Sequence, residues 1–376
     1  DPYDGTFWHG LCHMDDGVRS GPYLHMDAVG GWHDAGDYGK YVHGFAGNGL
    51  FDLLWLYDTN RDYYDAFDLN GNGIPDILDE CLYQARWLTK MVDTNGHCLE
   101  RTRMNRGGSS FVAPEVDTNN VICNCNSFSS CDACDDRWID TGTENTPQET
   151  VVCAGLIRMH RVLASRSLPT ENFAAKALAI WDHRVAWAIG DGGHNNLGSS
   201  SHQIWAGLDL FDVFGQQNCR DRVLQRIDEL SSMMIANPGF FDSIIYAEAP
   251  GYELGILGWF ARTYPDAPQT PQARTAIAAL MDRNINHLAS DRIGLIRRDE
   301  DGVLEYFPTN PNNNAFFLGV NRLYLLMTWA AIESHKALNN PAYLRFAMHQ
   351  LNWVQGANYH RVCMVHGAGT QHPLSY

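Results

Sequence analysis

Apolar residues recur at helical spacing along most of this chain. The first clear run covers residues 41–57, where Val42, Phe45, Leu50 and Leu53 share one face of a predicted helix. Prolines lie between the later runs or at their starts, as expected of a residue that ends or begins helices. Further helices are predicted over residues 76–93, 147–164, 170–189, 199–215, 218–236, 250–263, 270–289, 314–338 and 341–356.

Few segments show the alternation of apolar and polar residues that is typical of β-strands, so the helical runs indicate the fold class. Ten antiparallel helices joined by polar loops predict an all-α toroid, in which two concentric rings of helices surround a core. The 376 residues contain no linker, so we expect a single domain over 1–376 with long loops. The longest irregular insertion is rich in cysteine and covers about residues 94–145.

The composition narrows the range of partners. The hydrophobic fraction of 45% suffices for a large core, whereas the formal net charge of −17 would repel phosphate backbones and anionic lipids. No apolar run approaches the roughly 18–20 residues of a membrane span. We therefore expect no nucleic-acid or membrane partner, and a neutral polymer rich in hydroxyl groups, such as a glucan, suits the chain better.

Ten cysteines are many for a cytosolic enzyme, so we expect a secreted protein in an oxidising compartment. Four of them lie close together in the insertion, at Cys123, Cys125, Cys131 and Cys134, with His97 and Cys98 upstream. Disulfide bonds are the preferred interpretation of this cluster in a secreted protein. The close spacing keeps a zinc site open as the alternative.

The strongest candidate for chemistry is residues 30–41, which read GGWHDAGDYGKY. The glycines permit sharp bends and close approach to a ligand. Asp34 and Asp37 are near enough in sequence to share one site, where one carboxylate acts on a water molecule and the other orients it. The alternative is structural, with Asp37 capping a helix that begins near Tyr38.

Residues 68–79, which read DLNGNGIPDILD, predict a structural calcium loop. Gly73 occupies position six, where the sharp turn of such a loop needs glycine. The last ligand would be Asp rather than the usual Glu, and in the alternative interpretation Pro75 and Asp76 simply begin the next helix. The predicted ligands are Asp68, Asn70, Asn72, the carbonyl of Ile74, Asp76 and Asp79.

These motifs resemble those of glycoside hydrolase family nine, a family of cellulases. GGW-DAGD-KY is similar to its signature, GNGIPD-LDE recurs there ahead of a barrel helix, and GAGTQHP at residues 367–373 matches its HP motif. The resemblance implies an (α/α)6 barrel and a secreted enzyme that hydrolyses β-1,4-linked glucan with inversion. It also implies Asp37 as the general base and Asp34 as the residue that helps to hold the nucleophilic water.

The resemblance and the aromatic content together nominate substrate-binding residues. Aromatic rings suit the C–H faces of sugars, and Trp138 and Tyr306 are predicted to present theirs from loops. His372 matches the histidine of the HP motif and is expected to hydrogen-bond a sugar hydroxyl. The full predicted set is Trp32, His33, Tyr38, Trp138, Tyr306 and His372.

The family's general acid is a Glu in an Asp-x-x-x-Asn-Glu segment beyond the HP motif, and no such segment follows here. We therefore expect the first and last barrel helices, and this acid, to lie outside the given sequence. A second hypothesis follows, in which the chain is a non-catalytic carbohydrate-binding or structural protein on the same scaffold. An incomplete barrel would expose an apolar seam, so this hypothesis also predicts self-association.

Overall fold

A computed structural model of the chain divides it into two compact units, Asp1–Arg220 and Asp221–Tyr376. The described residues are 13–14, 16–19, 26–34, 38–42, 44–103, 137–140, 146–183, 185–187, 200–239, 251–289, 293–296, 298–300, 303–305, 309–310, 315–316, 320–365 and 368–372.

Helices dominate the first unit. They are α1 (Gly44–Thr59), α2 (Arg61–Tyr64), α3 (Asp76–Lys90), α4 (Thr146–Ser165), α5 (Phe173–His183), a 3₁₀ turn (Val185–Trp187) and α6 (Ser200–Phe214). Helix α1 packs against α3 and α4, and α4 packs against α5 and α6. A Cβ on Gly47 of α1 would lie 2.4 Å from Val151 Cγ1 of α4, so the close approach of these helices requires glycine there.

A small four-stranded sheet joins distant segments of the same unit. Its strands, in spatial order, are β1 (Val18–Arg19), β4 (Trp138–Asp140), β3 (Arg101–Arg103) and β2 (Lys40–Tyr41). β1 pairs with β4 in parallel, and the other pairs are antiparallel, with Lys40 opposite Thr102 and Thr102 opposite Ile139. The sheet therefore brings together the start of the chain, the end of the 30–41 segment and both flanks of the cysteine-rich insertion.

The second unit repeats the helical pattern. Helix α7 (Gln217–Ala236) begins at the end of the first unit, and it is followed by α8 (Gly251–Thr263), α9 (Thr270–Ala289), α10 (Val320–Leu338) and α11 (Pro341–Val354). Helix α8 packs against α9 and α10, and α10 packs against α11. Two short hairpins pair β5 (Arg298–Glu300) with β6 (Val303–Glu305) and β7 (Thr309–Asn310) with β8 (Ala315–Phe316).

Helix–helix packing in this unit depends on small residues of α8. A Cβ added to Gly255 would lie 1.9 Å from the ring of Trp329 on α10, and one added to Gly258 would lie 2.8 Å from the backbone of Glu333. Glu333 in turn pairs with Arg262 of α8 at 3.1 Å. A side chain at Gly255 would therefore force α8 and α10 apart.

The helix predictions are confirmed, with shifts at some ends. The helix predicted from residue 41 begins at Gly44, because Lys40 and Tyr41 pair in the sheet. The helix predicted from residue 314 begins at Val320, since residues 315–316 form β8. The short helix α2 was not predicted, and the single-domain assignment stays a prediction. Among the helices of the described residues, none has the length and apolarity needed to cross a membrane.

Candidate active site

The carboxylate-bearing segment is closed by a backbone hydrogen bond. The amide of Asp34 donates to the carbonyl of Gly39 at 2.7 Å, and Asp34 itself is half-buried. Tyr38 has a φ of +57°, a left-handed conformation that is uncommon for a residue with a side chain. Residues 38–42 are not helical, so the alternative in which a helix begins near Tyr38 is wrong. Asp37 lies outside the described residues.

Helix α3 supports the residues that precede Asp34. The backbone amide of Trp32 donates to Gln84 Oε1 at 2.7 Å, and its indole nitrogen donates to Glu80. The indole of Trp87 donates to Ala28 O at 3.1 Å, and its ring lies so close to Gly31 that a Cβ there would be 2.5 Å away. The motif that begins α3 therefore supports the signature segment directly.

A buried charge cluster holds the same segment from the side of the sheet. Asp16 precedes β1, Arg137 precedes β4 and Lys40 begins β2, and all three side chains are almost completely buried. Lys40 Nζ lies 2.6 Å from Asp16 Oδ2, and Arg137 Nε donates to Asp16 Oδ1 at 2.8 Å. The ammonium of Lys40 also donates to the carbonyls of Ala28 and Gly30, each at 2.7 Å, and Arg137 donates to the carbonyl of Tyr38.

The pKa values in this cluster reflect burial and charge pairing. Burial opposes ionisation of Asp16, but Lys40 and Arg137 outweigh it and lower the pKa of that carboxyl to about 2. Burial lowers the pKa of Lys40 to about 8, while Asp16 acts in the opposite direction. At neutral pH the cluster therefore holds one anion and two cations.

Three aromatic side chains gather beside the cluster. The ring of His33 lies 5.2 Å from that of His13 and 5.4 Å from that of Tyr38, in edge-on geometry. Burial, followed by the charge of Arg137, lowers the pKa of His13 to about 3. His13 is therefore neutral at ordinary pH. His33 and Tyr38, both predicted to bind substrate, are half-buried and lie together.

The other predicted substrate contacts are more dispersed. Trp32 is half-buried, with its ring 3.2 Å from the position of a Cβ on Gly49. Trp138 lies in β4, so its assignment to a loop is wrong, and its side chain is outside the described residues. Tyr306 is also outside them. His372 is half-buried in the second unit, near the bond from Cys363 N to Gln371 O at 2.8 Å.

The predicted calcium loop is compact and wrapped around its first residue. The carboxylate of Asp68 accepts from the amides of Asn72 at 3.1 Å and Gly73 at 2.9 Å, and Gly73 has a φ of +83°. The side-chain amides of Asn70 and Asn72 both donate to Asp79 Oδ2 at 2.8 Å. The predicted positions three, five and twelve therefore converge on one point.

Metal sites made of three or more His, Cys, Asp or Glu side chains are absent from the described residues. The carboxyl of Asp76 accepts instead from the amide of Leu69 at 2.9 Å. The loop therefore offers a mixed set of carboxylate, amide and carbonyl oxygens, which is the donor chemistry that calcium prefers. The side-chain oxygens of Asn70 and Asn72 accept from the backbone amides of Asn72 at 3.0 Å and Ile74 at 2.8 Å, so turning them towards Asp79 would break these two bonds.

The cysteines within the described residues are buried free thiols. They are Cys81, Cys98, Cys153, Cys219 and Cys363. Burial raises the pKa of Cys98 and Cys153 well above the usual range, so these thiols are protonated and unreactive. Cys12, Cys123, Cys125, Cys131 and Cys134 lie outside the described residues. Their disulfide or zinc chemistry stays a prediction.

Sequence reasoning missed the residues that hold the site together. In the sequence, Lys40 stands out only as part of the signature and Glu80 only as part of the motif that begins α3, and nothing marks Arg137 as a site residue. Arg137 lies at the edge of the insertion, and residues 137–140 read polar, apolar, apolar, polar, so no alternation marks the strand that begins beside it.

Comparisons with known proteins find one fold and similarity to one family. Residues 1–137 match the family model of Glycosyl hydrolase family 9. Endoglucanase D of Acetivibrio thermocellus is 21% identical over 395 residues, covering 99% of this chain and 56% of that protein. The crystal structure of the family 9 endoglucanase J30 is 19% identical, with a TM-score of 0.71 over 99% of this chain and 66% of that one. Endoglucanase CelQ of Clostridium thermocellum, complexed with cellotriose, is 15% identical, with a TM-score of 0.59 over 99% of this chain and 55% of CelQ.

The fold is that of the (α/α)6-barrel glycoside hydrolases, as the helical pattern and the matched structures show. Over residues 1–137 the chain is similar to glycosyl hydrolase family 9, and over almost its whole length it is similar, at low identity, to endoglucanases. The chain spans slightly more than half the length of the curated endoglucanase that it matches.

Proposed function

We propose that the chain belongs to a secreted, inverting β-1,4-glucanase in which Asp37 is the general base and Asp34 assists it. The observation that carries the proposal is the support of residues 28–40 from two sides, by α3 and by the buried cluster. Such support is typical of segments whose side chains must be held within a fraction of an ångström for catalysis. The family resemblance assigns this segment to the base.

The proposed chemistry is a single displacement at the anomeric carbon. Asp37 takes a proton from a water molecule, which attacks the face of the sugar opposite to the leaving oxygen, and Asp34 holds the same water in line. An acid on the other side protonates the departing oxygen, about 6.5–9.5 Å from the base, which leaves room for the water. His33 and Tyr38 would contact the sugar.

The proposed substrate is β-1,4-linked glucan. Support comes from the relatives named endoglucanase and from the likeness to CelQ, whose structure contains cellotriose. The acidic net charge of −17 is compatible with an uncharged polymer. Secretion and self-association stay predictions from the sequence.

The test is hydrolysis of cellotetraose by the protein to which the chain belongs, with the general acid that is expected beyond the HP motif, and by its Asp37→Asn variant. Loss of the base is expected to reduce kcat by about 10²- to 10⁴-fold while oligosaccharide binding persists. Asp62→Asn, at an exposed position on α2, is the matched control and should hydrolyse at the parental rate. Equal rates for Asp37→Asn and the parent would exclude Asp37 as the base.

A structural calcium ion at residues 68–79 is a further part of the proposal. Asp68, Asn70, Asn72, Asp79 and the carbonyl of Ile74 would hold it, with Asp76 at position nine. The ion would stabilise the turn that leads into α3, and thus the helix that supports Trp32. It takes no part in the proposed hydrolysis.

A further inference from the structure

The buried cluster of Asp16, Lys40 and Arg137 contacts the backbone on both sides of the Asp34–Asp37 pair. Lys40 binds the carbonyl of Gly30, four residues before Asp34, and Arg137 binds the carbonyl of Tyr38, one residue after Asp37. Asp16 binds both cations, at 2.6 Å and 2.5 Å. The carboxylate of Asp16 therefore holds Lys40 and Arg137 in place, and these two side chains bind the backbone at Gly30 and Tyr38, on either side of Asp34 and Asp37.

Burying three charges is costly, and a hydrophobic cluster of similar volume is often at least as stable. Burial lowers the pKa of Lys40, which shows that the fold opposes the charge it carries there. The cations are used instead as directional donors. The ammonium of Lys40 reaches two carbonyls and a carboxylate, and the planar guanidinium of Arg137 reaches Asp16 with two nitrogens and Tyr38 with a third.

The backbone conformation of Tyr38 explains why a hydrogen-bond donor is needed at its carbonyl. Its left-handed φ of +57° is costly for a residue with a side chain and persists only when surrounding contacts impose it. The carbonyl of Tyr38 accepts from Arg137, and the neighbouring carbonyl of Gly39 accepts from the amide of Asp34. Arg137 is therefore placed to hold the turn that closes the segment.

From this geometry we infer that Arg137 and Lys40, both anchored on Asp16, are positioning residues for the base and its assistant. They act on the backbone that carries Asp34 and Asp37 rather than on substrate. The inference rests on the proposed function for its catalytic consequence, but its structural part stands on the contacts alone.

The test compares the protein to which the chain belongs, with its expected general acid present, with its Arg137→Lys and Lys40→Met variants. Arg137→Lys keeps a buried positive charge beside Asp16. The single ammonium group cannot reproduce the guanidinium geometry that binds both Asp16 and the carbonyl of Tyr38. Methionine at 40 keeps an apolar stem but no longer donates to Ala28 and Gly30. The matched control is Arg86→Lys, the same substitution in an ion pair with Glu171 in which Arg86 is 57% exposed.

Two measurements are made on each protein. Hydrogen exchange of peptides covering residues 26–42 should quicken in both variants, while peptides from α4 keep the parental rate. For cellotetraose hydrolysis, kcat should fall by about 10²-fold in Arg137→Lys with KM little changed, since misplacement of a catalytic group by about 1 Å has that effect. Arg86→Lys should match the parent in both measurements.

The outcomes distinguish the positioning role of Lys40 and Arg137 from the proposed function. Parental exchange over residues 26–42 in both variants, or parental kcat in both, would overturn the positioning role. Absence of hydrolysis by the unsubstituted protein with its expected general acid present would count against the proposed function, and the exchange rates would then decide the positioning role alone. A uniform rise in exchange throughout both variants would also overturn it, because the cluster would then support the fold as a whole.

Discussion

Two polar clusters flank α3, and they differ in how their carboxylates are stabilised. In the first, Asp16 is fully buried between Lys40 and Arg137. In the second, the loop that leads into α3 surrounds Asp68 and Asp79 with backbone and side-chain amides near the surface. A buried carboxylate requires cations supplied by the protein, whereas one near solvent can be stabilised by neutral donors, water or a bound ion. The first cluster should therefore be rigid at every calcium concentration, and the second should respond to the ion.

The largest expected effect is at Asp16. Asp16→Asn leaves Lys40 and Arg137 buried without an anion, so we expect the free energy of unfolding in urea to fall by about 3–5 kcal/mol. Asp27→Asn is the matched control, because Asp27 pairs with Lys90 at 2.8 Å but is 64% exposed, and it should cost less than about 1 kcal/mol. Similar losses in the two variants would mean that burial does not distinguish these ion pairs.

The second-largest expected effect is the response of the Tm to calcium at residues 68–79. A ligand that binds only the folded state stabilises it by about 2.7 kcal/mol at a concentration one hundred times its Kd. Chelation should therefore lower the Tm of the parent. In Asp79→Asn, which loses a predicted ligand, chelation should leave the Tm unchanged. If neither chelator nor added calcium changes the Tm of the parent, the proposal of a calcium site at residues 68–79 is wrong.

A third test uses pH. The pKa of Asp16 lies at about 2 against a usual value of 3.8, so its contribution to stability is complete above about pH 4 and is lost as the pH falls towards 2. The shift corresponds to about 2 kcal/mol. The difference in unfolding free energy between the parent and Asp16→Asn should narrow by about that amount over this range. A difference that stays constant would show that folding does not lower the pKa of Asp16.

The smallest effect concerns Glu80, the acceptor for the indole of Trp32. Glu80→Ala should lower the free energy of unfolding by about 0.5–1.5 kcal/mol, whereas Glu80→Gln keeps an acceptor and should cost less. Equal losses in the two variants would show that this hydrogen bond does not contribute to stability.

The helices were predictable from the sequence because apolar spacing and proline positions are local signals, and α8, α9 and α11 begin within one residue of their predicted starts. The candidate carboxylates were also predictable, since Asp34 and Asp37 lie in one short motif. The residues that hold these carboxylates in place were not predictable. Asp16, Lys40 and Arg137 are separated by up to 121 residues and meet through a sheet whose strands are two or three residues long, too short for an alternating pattern.

The most direct test of the central claim is the anomeric form of the first product released from cellotetraose, followed by proton NMR for the protein to which the chain belongs, with its expected general acid, and for Asp37→Asn. The account predicts that the α-anomer appears first with the parent, because water activated by Asp37 attacks opposite to the β-linked leaving group. It also predicts that this signal is lost in the variant. A β-anomer appearing first, or an α-anomer that appears equally fast without the Asp37 carboxylate, would contradict it.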